Sequence, residues 1–148
     1  MRSWSALWVS SALLVACASA SDVSLAVLMS DESIKVTDSA FSGVQGSFRL
    51  QLALGSEANG STRVSLGKFE LQSEGGAFLA DLGDATPDQV FPLDLNKGES
   101  KGVVFTIDGI SVDRAAACAG PVRIVGSVID SLKGGTVPVR SGLITPDC

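Results

Sequence analysis

Three cysteines, at positions 17, 118 and 148, are the first residues of this chain that could do chemistry. A thiol can be acylated, oxidised or bound to a metal. Ser65-Leu66-Gly67-Lys68 sets a hydroxyl three residues before an amine, the spacing of a serine nucleophile and a lysine base when a helix carries both. Asp81, Asp84 and Asp88 gather carboxylates in one short stretch, with Asp94 nearby, as a hard cation such as calcium needs. Asn59-Gly60-Ser61 fits the acceptor pattern for N-glycosylation. Histidine and tyrosine are both absent. That excludes Ser-His-Asp and Cys-His catalysis and every histidine-ligated metal.

Each of these features also has a plainer reading. The stretch around Ser65 alternates like a strand, where positions i and i+3 point to opposite faces unless a bulge at Gly67 brings them together. Its S-x-x-K resembles that of penicillin-recognising enzymes, but the partner motifs S-D-N and K-T-G are missing. Positions 83 and 85 are Gly and Ala, so the aspartates do not follow the D-x-D-x-D-G loop. Asp81, Asp84 and Asp88 stay on record only as weak metal candidates beside the reading of an acidic, solubilising loop, and no cofactor is expected. Asn59 before Gly60 reads as a turn. The basic residues are scattered singly among more numerous acids, so no nucleic acid is expected as a partner.

The elements that must position these residues begin after residue 20. Residues 1–16 have one charge, Arg2, and an uncharged run from Trp4 to Ala16. A membrane-spanning helix needs about 20 apolar residues, so this shorter run reads as a signal peptide that is removed. Leu14-Val15-Ala16-Cys17 resembles the lipobox of bacterial lipoproteins. The resemblance implies a cut before Cys17, acyl chains on Cys17 and anchoring of the protein to a membrane of the bacterial cell envelope. Ala18 follows in place of aspartate, which points to the outer membrane. The alternative is a cut after Ala20, at Ala18-Ser19-Ala20, giving a soluble secreted or periplasmic protein. Either cut leaves Cys118 and Cys148, and a pair of thiols in an exported protein predicts a disulfide. After the cut before Cys17 both tryptophans are gone, and ten basic and sixteen acidic residues remain, a formal −6. Six phenylalanines are then the only aromatics, a poor platform for stacking sugars and a poor cleft for paired-acid glycoside hydrolysis.

The body of the chain alternates with the period of two that marks half-buried strands. Phe48, Leu50, Leu52 and Leu54 form one inward row, and Val103, Phe105 and Ile107 another. Val64-Leu66 and Phe69-Leu71 alternate with a slip of one residue at Gly67, which predicts a β-bulge. Residues 121–130 are apolar on both faces and read as a central strand. Less regular candidates are 23–28, 33–38, 77–82, 89–95 and 136–140. Asn59-Gly60 predicts that 46–72 is one long hairpin. Asn96-Lys97-Gly98 and Lys133-Gly134-Gly135 predict later turns. Residues 113–117 allow one helical turn.

The expected fold class is all-β: a single antiparallel β-sandwich of seven to nine strands, preceded by a signal peptide. Phe91 to Ser100 leading into Val103-Val104-Phe105 resembles the strand–turn–strand of bacterial immunoglobulin-like domains, in which a leucine, a Gly-Glu-Ser turn and an alternating strand follow one another. That resemblance implies a fold without a common catalytic site. The domain reading is 1–16 signal peptide, 17–30 a tether able to include a first strand, and 31–148 the sandwich. The functional expectation is a non-catalytic envelope lipoprotein acting as a binding or structural module, with the membrane and a protein of the envelope as partners. The alternatives are the soluble binding protein released after Ala20 and a small carboxylate- or metal-dependent enzyme.

Overall fold

The computed structural model describes residues 24–38 and 42–148. Nine strands and one helical turn follow in order. They are β1 (Leu25–Thr37), β2 (Gly43–Leu54), β3 (Thr62–Ser73), β4 (Phe78–Asp81), β5 (Thr86–Pro87), β6 (Leu93–Leu95), β7 (Ser100–Ser111), α1 (Arg114–Ala117), β8 (Val122–Asp130) and β9 (Gly135–Arg140). One antiparallel sheet runs β1-β2-β7-β5. The second runs β4-β3-β8-β9, with β6 paired to β3. The all-β expectation holds. β1 starts at Leu25, inside the stretch expected to be tether or first strand.

The inward rows explain why the sheets meet. Phe48, Leu50, Leu52, Val103, Phe105 and Ile107 from the first sheet are buried, as are Val64, Phe69, Leu71, Ile124 and Val128 from the second. Apolar area removed from water on both layers supplies the driving force, at about 25 cal/mol per Å². Phe48 and Phe105 stack at 4.7 Å within one sheet, and Phe69 reaches them from the other at 5.6 and 5.9 Å. Phe69 fits because its partner on β8 is Gly126, where a Cβ would collide with the ring.

The register slip between Leu66 and Phe69 is the bulge expected at Gly67. β8 lies between β3 and β9, as its two apolar faces predict. Gly98 and Gly134 turn with positive φ, at 71° and 64°. Asp113 caps α1 by accepting the amides of Ala115 and Ala116.

The predicted hairpin over 46–72 is wrong. β2 and β3 belong to different sheets, and residues 55–61 cross from one layer to the other. Neither Asn59 nor Gly60 has positive φ. Two inward rows joined by a loop can lie side by side or face each other, and here they face each other. The candidates 23–28 and 33–38 are one strand with an irregularity between Ser30 and Ser33, where Asp31 has φ 54°. Of 89–95 only Leu93–Leu95 is strand.

The molecule has two ends. Ser24, the 55–61 crossover, the Asn96–Gly98 turn and the β8–β9 turn lie at the near end. The 74–77 loop, α1 and the C-terminal residues lie at the far end.

Candidate functional site

The far end is built around the last eight residues. Ser141 continues from β9, its amide donating to Ile124 and its hydroxyl accepting from the Ile124 amide. Val122 and Ile144 then exchange amide bonds at 2.9 and 2.8 Å. Three residues later the chain has crossed to the other sheet. Val36 donates to the Asp147 carbonyl, and Asp147 donates to the Ile34 carbonyl. The tail is therefore a strap that joins β8 of one layer to β1 of the other. Cys148 ends it in a disulfide to Cys118, just after α1, with the two Cα atoms 6.1 Å apart. Arg114 of α1 donates to the Cys148 carbonyl at 2.8 Å.

The other sequence candidates come out dispersed. Asp81 and Asp84 line a shallow hollow of about 230 Å³ with Gly83, whose amide Asp81 accepts. Asp88 is turned elsewhere and accepts the Val104 amide of β7 at 2.9 Å. Among the described residues no group of three acids, cysteines or histidines could hold a metal. The bulge does return Ser65 and Lys68 to the outer face of the second sheet. Lys68, however, contacts the Glu70 carboxylate at 3.4 Å and lies over the Phe78 ring, an amine engaged away from any serine. Asn59 is exposed in the crossover loop. Cys17, both cleavage sites and the signal peptide lie outside the described residues.

Two features of the near end went unseen in the sequence. Asp130 is 1% exposed and accepts the Thr62 hydroxyl and the Leu132 amide, which fixes the start of β3 against the end of β8. The only sign was a carboxylate closing an otherwise apolar run. Glu99 accepts the amide of Asn96 at 2.7 Å and closes the turn into β7. That backbone hydrogen bond, with help from Lys101, holds its carboxyl below the usual range. Asp94 is likewise held low, first by its hydrogen bond to Arg63, and the Arg63 guanidinium is correspondingly raised.

Among the described residues an apolar hollow lies on the outer face of β8 and β9. Val125, Pro138, Val139 and Arg140 line about 330 Å³, at the small end of ligand-pocket sizes. No protein-family model matches the chain, and no curated protein or solved structure matches it either.

Proposed function

We propose that the chain is a non-catalytic lipoprotein of a bacterial envelope: an immunoglobulin-like sandwich held to a membrane through acylated Cys17, acting as a binding or structural module. The observation that carries this reading is the placement of the staple. Disulfides persist in oxidising compartments outside the cytosol, and the Cys118–Cys148 bond closes the end of the molecule opposite to Ser24. A chain anchored at Cys17 reaches Ser24 in seven residues, at most about 24 Å. The near end then faces the lipid and the strapped end faces away from it.

The immunoglobulin-like part of the reading rests on strand order. In that fold, strands ABED face CFG, and a C′ strand can extend the second sheet. Taking β1, β2, β3, β4 as A, B, C, C′ and β5, β7, β8, β9 as D, E, F, G matches the order of the first sheet and the main path of the second, with β6 an extra short strand on β3. The parallel bridge between Lys35 and Asp147 joins the first strand to the continuation of the last. The chain departs from antibody domains in having its disulfide outside the B and F strands and in lacking the tyrosine corner. A binding or structural role is supported by carboxylates that are spread over separate elements and engaged in structural bonds: Asp81 with the Gly83 amide, Asp88 with the Val104 amide, Glu99 with the Asn96 amide and Asp130 with Thr62 and Leu132.

Intact mass of the protein from membrane and soluble fractions tests the reading. A membrane species beginning at Cys17 with added acyl mass, and release of a Cys17→Ala variant, are expected. A soluble species beginning at Ser21 without lipid would replace the anchor with the secreted binding protein.

A further inference from the structure

Strand edges invite pairing with other chains, and folded proteins guard them with proline, charge, bulges or covering segments. Most edges of this sandwich carry such a guard. β5 is two residues long and contains Pro87, with Asp88 next to it. β9 has Pro138 at its centre, which removes an outward N–H. β6 is three residues long, and its Asp94 is paired with Arg63 at 2.9 Å. β4 is four residues long and irregular in register. The second half of β1 is covered by the strap at Ile34 and Val36.

Among the described residues, the first half of β1 has none of these. Residues 24–30 read Ser-Leu-Ala-Val-Leu-Met-Ser, without charge, proline or glycine. Ser24 accepts from Gly55, so the backbone groups of residues 24, 26, 28 and 30 face β2. Those of Leu25, Val27 and Met29 face outward, and among the described residues no strand pairs with them. Leu28 on the outer face is 68% exposed.

We propose that this edge pairs antiparallel with the same edge of a second copy, joining two four-stranded sheets into one of eight. The occupant follows from self-complementarity. With Val27 on the twofold axis, Leu25 faces Met29 of the partner subunit, and all three outward positions of each copy find a partner. The same register sets Ala26 opposite Leu28 of the partner subunit, small beside large, on a non-hydrogen-bonded pair where side chains approach most closely. The nearest charged side chain with a partner, Asp31, is neutralised by Arg49 at 3.1 Å, so no like charges meet at the centre. A twofold axis normal to the sheet points the two near ends in opposite directions along the strands, so an acylated pair lies with its joined sheet along the membrane and is held by both seven-residue tethers, whereas a single anchored copy stands on its near end.

Sedimentation of the mature protein, in detergent where it carries lipid, tests this over a range of concentrations. A dimer is expected. The amides of Leu25, Val27 and Met29 should gain exchange protection with concentration, while those of Ala26 and Leu28, already bonded to β2, should not change. Leu28→Lys changes an exposed side chain and should weaken the dimer about tenfold, since it alters two cross-strand pairs. Val27→Pro removes the central outward N–H and should give a monomer; if that variant does not fold, Leu28→Lys decides. A monomer at every concentration, or a dimer that Leu28→Lys leaves unaltered, overturns the proposal. So does a dimer without the alternating protection, and so does a monomer that takes up another protein's strand instead.

Discussion

The near and far ends of the sandwich are closed by different means. At the near end, carboxylates that bond neighbours in sequence shape the turns. Glu99 bonds the amide of Asn96 three residues before it, and Asp130 bonds the amide of Leu132 two residues after it. Thr62 ties β3 to this cluster, and backbone bonds between Gly98 and Leu54, Gly55 and Ser24, and Ser131 and Arg63 hold the turns to the strands. At the far end the contacts are long-range: Cys148 to Cys118, Asp147 to Ile34 and Val36, Ile144 to Val122. Short turns can form before the fold is complete. The strap has nothing to hold until both sheets exist, because it bridges them. A covalent bond suits such a segment, since its few backbone bonds and half-exposed Leu143 offer little burial.

The largest expected effect separates the ends most directly. Replacing Cys118 and Cys148 by serine should cost about 3–4 kcal/mol for a closed loop of this size, read from denaturant midpoints. The loss should also be local. Amides of Val36 and Ile144 should exchange faster while those of the β2–β7 ladder keep their ranking. Equal acceleration everywhere would mean that the staple acts only on the unfolded chain and that the strap is held by its other bonds. Next comes Asp130→Ala at the near end. It takes the acceptor from the buried Thr62 hydroxyl and leaves the half-buried Leu132 amide only that hydroxyl at 3.3 Å, and should cost about 1–3 kcal/mol. A neutral result would show that the near end is held by its turns alone. Smaller again is Asp113→Ala, which removes the cap of α1 and should cost about 1 kcal/mol, readable as a shift in thermal midpoint. If it costs nothing, α1 is held by the disulfide next to it and not by its cap.

How much of this was legible depends on the distance between partners. The bulge at Gly67 was readable because the inward row changes phase within one strand. The helical turn within 113–117 and the turns at Gly98 and Gly134 were readable for the same local reason. The Cys118–Cys148 pair was readable because the expected processing leaves two thiols. The 46–72 hairpin failed because alternation shows which face of a strand is apolar and not which strand it packs against. The seven-residue crossover at 55–61, long for a tight Asn-Gly turn, was the available warning. Thr62 and Asp130 lie 68 positions apart, and nothing in either neighbourhood announces the other. The strap was invisible beyond its cysteine, since residues 141–147 carry no periodic pattern. Cys17, on which the proposed anchor depends, is legible only in sequence.

The two ends should also differ in their response to acid, which is the smallest expected effect. Glu99 and Asp94 have folded-state pKa values below their ordinary ones, Glu99 chiefly through the Asn96 amide and Asp94 chiefly through Arg63. A carboxylate depressed in the folded state binds protons less readily there than in the unfolded chain. Its stabilisation is therefore complete above the unfolded values, about 3.9 for Asp and 4.3 for Glu, and is lost as pH falls from there through the lowered folded values. Asp94 is exposed and Glu99 partly so, so the change is modest and screened by salt. Denaturation midpoints followed from neutral pH to about pH 3 should fall for the native sequence and fall less for Glu99→Gln, which has no charge to lose. The penalty for removing the disulfide should stay the same across that range, because neither sulfur titrates in the bond. A Glu99→Gln profile that tracks the native one would remove the carboxylate from the near end's account and leave the turn to Gly98 and the Leu54 carbonyl that its amide bonds.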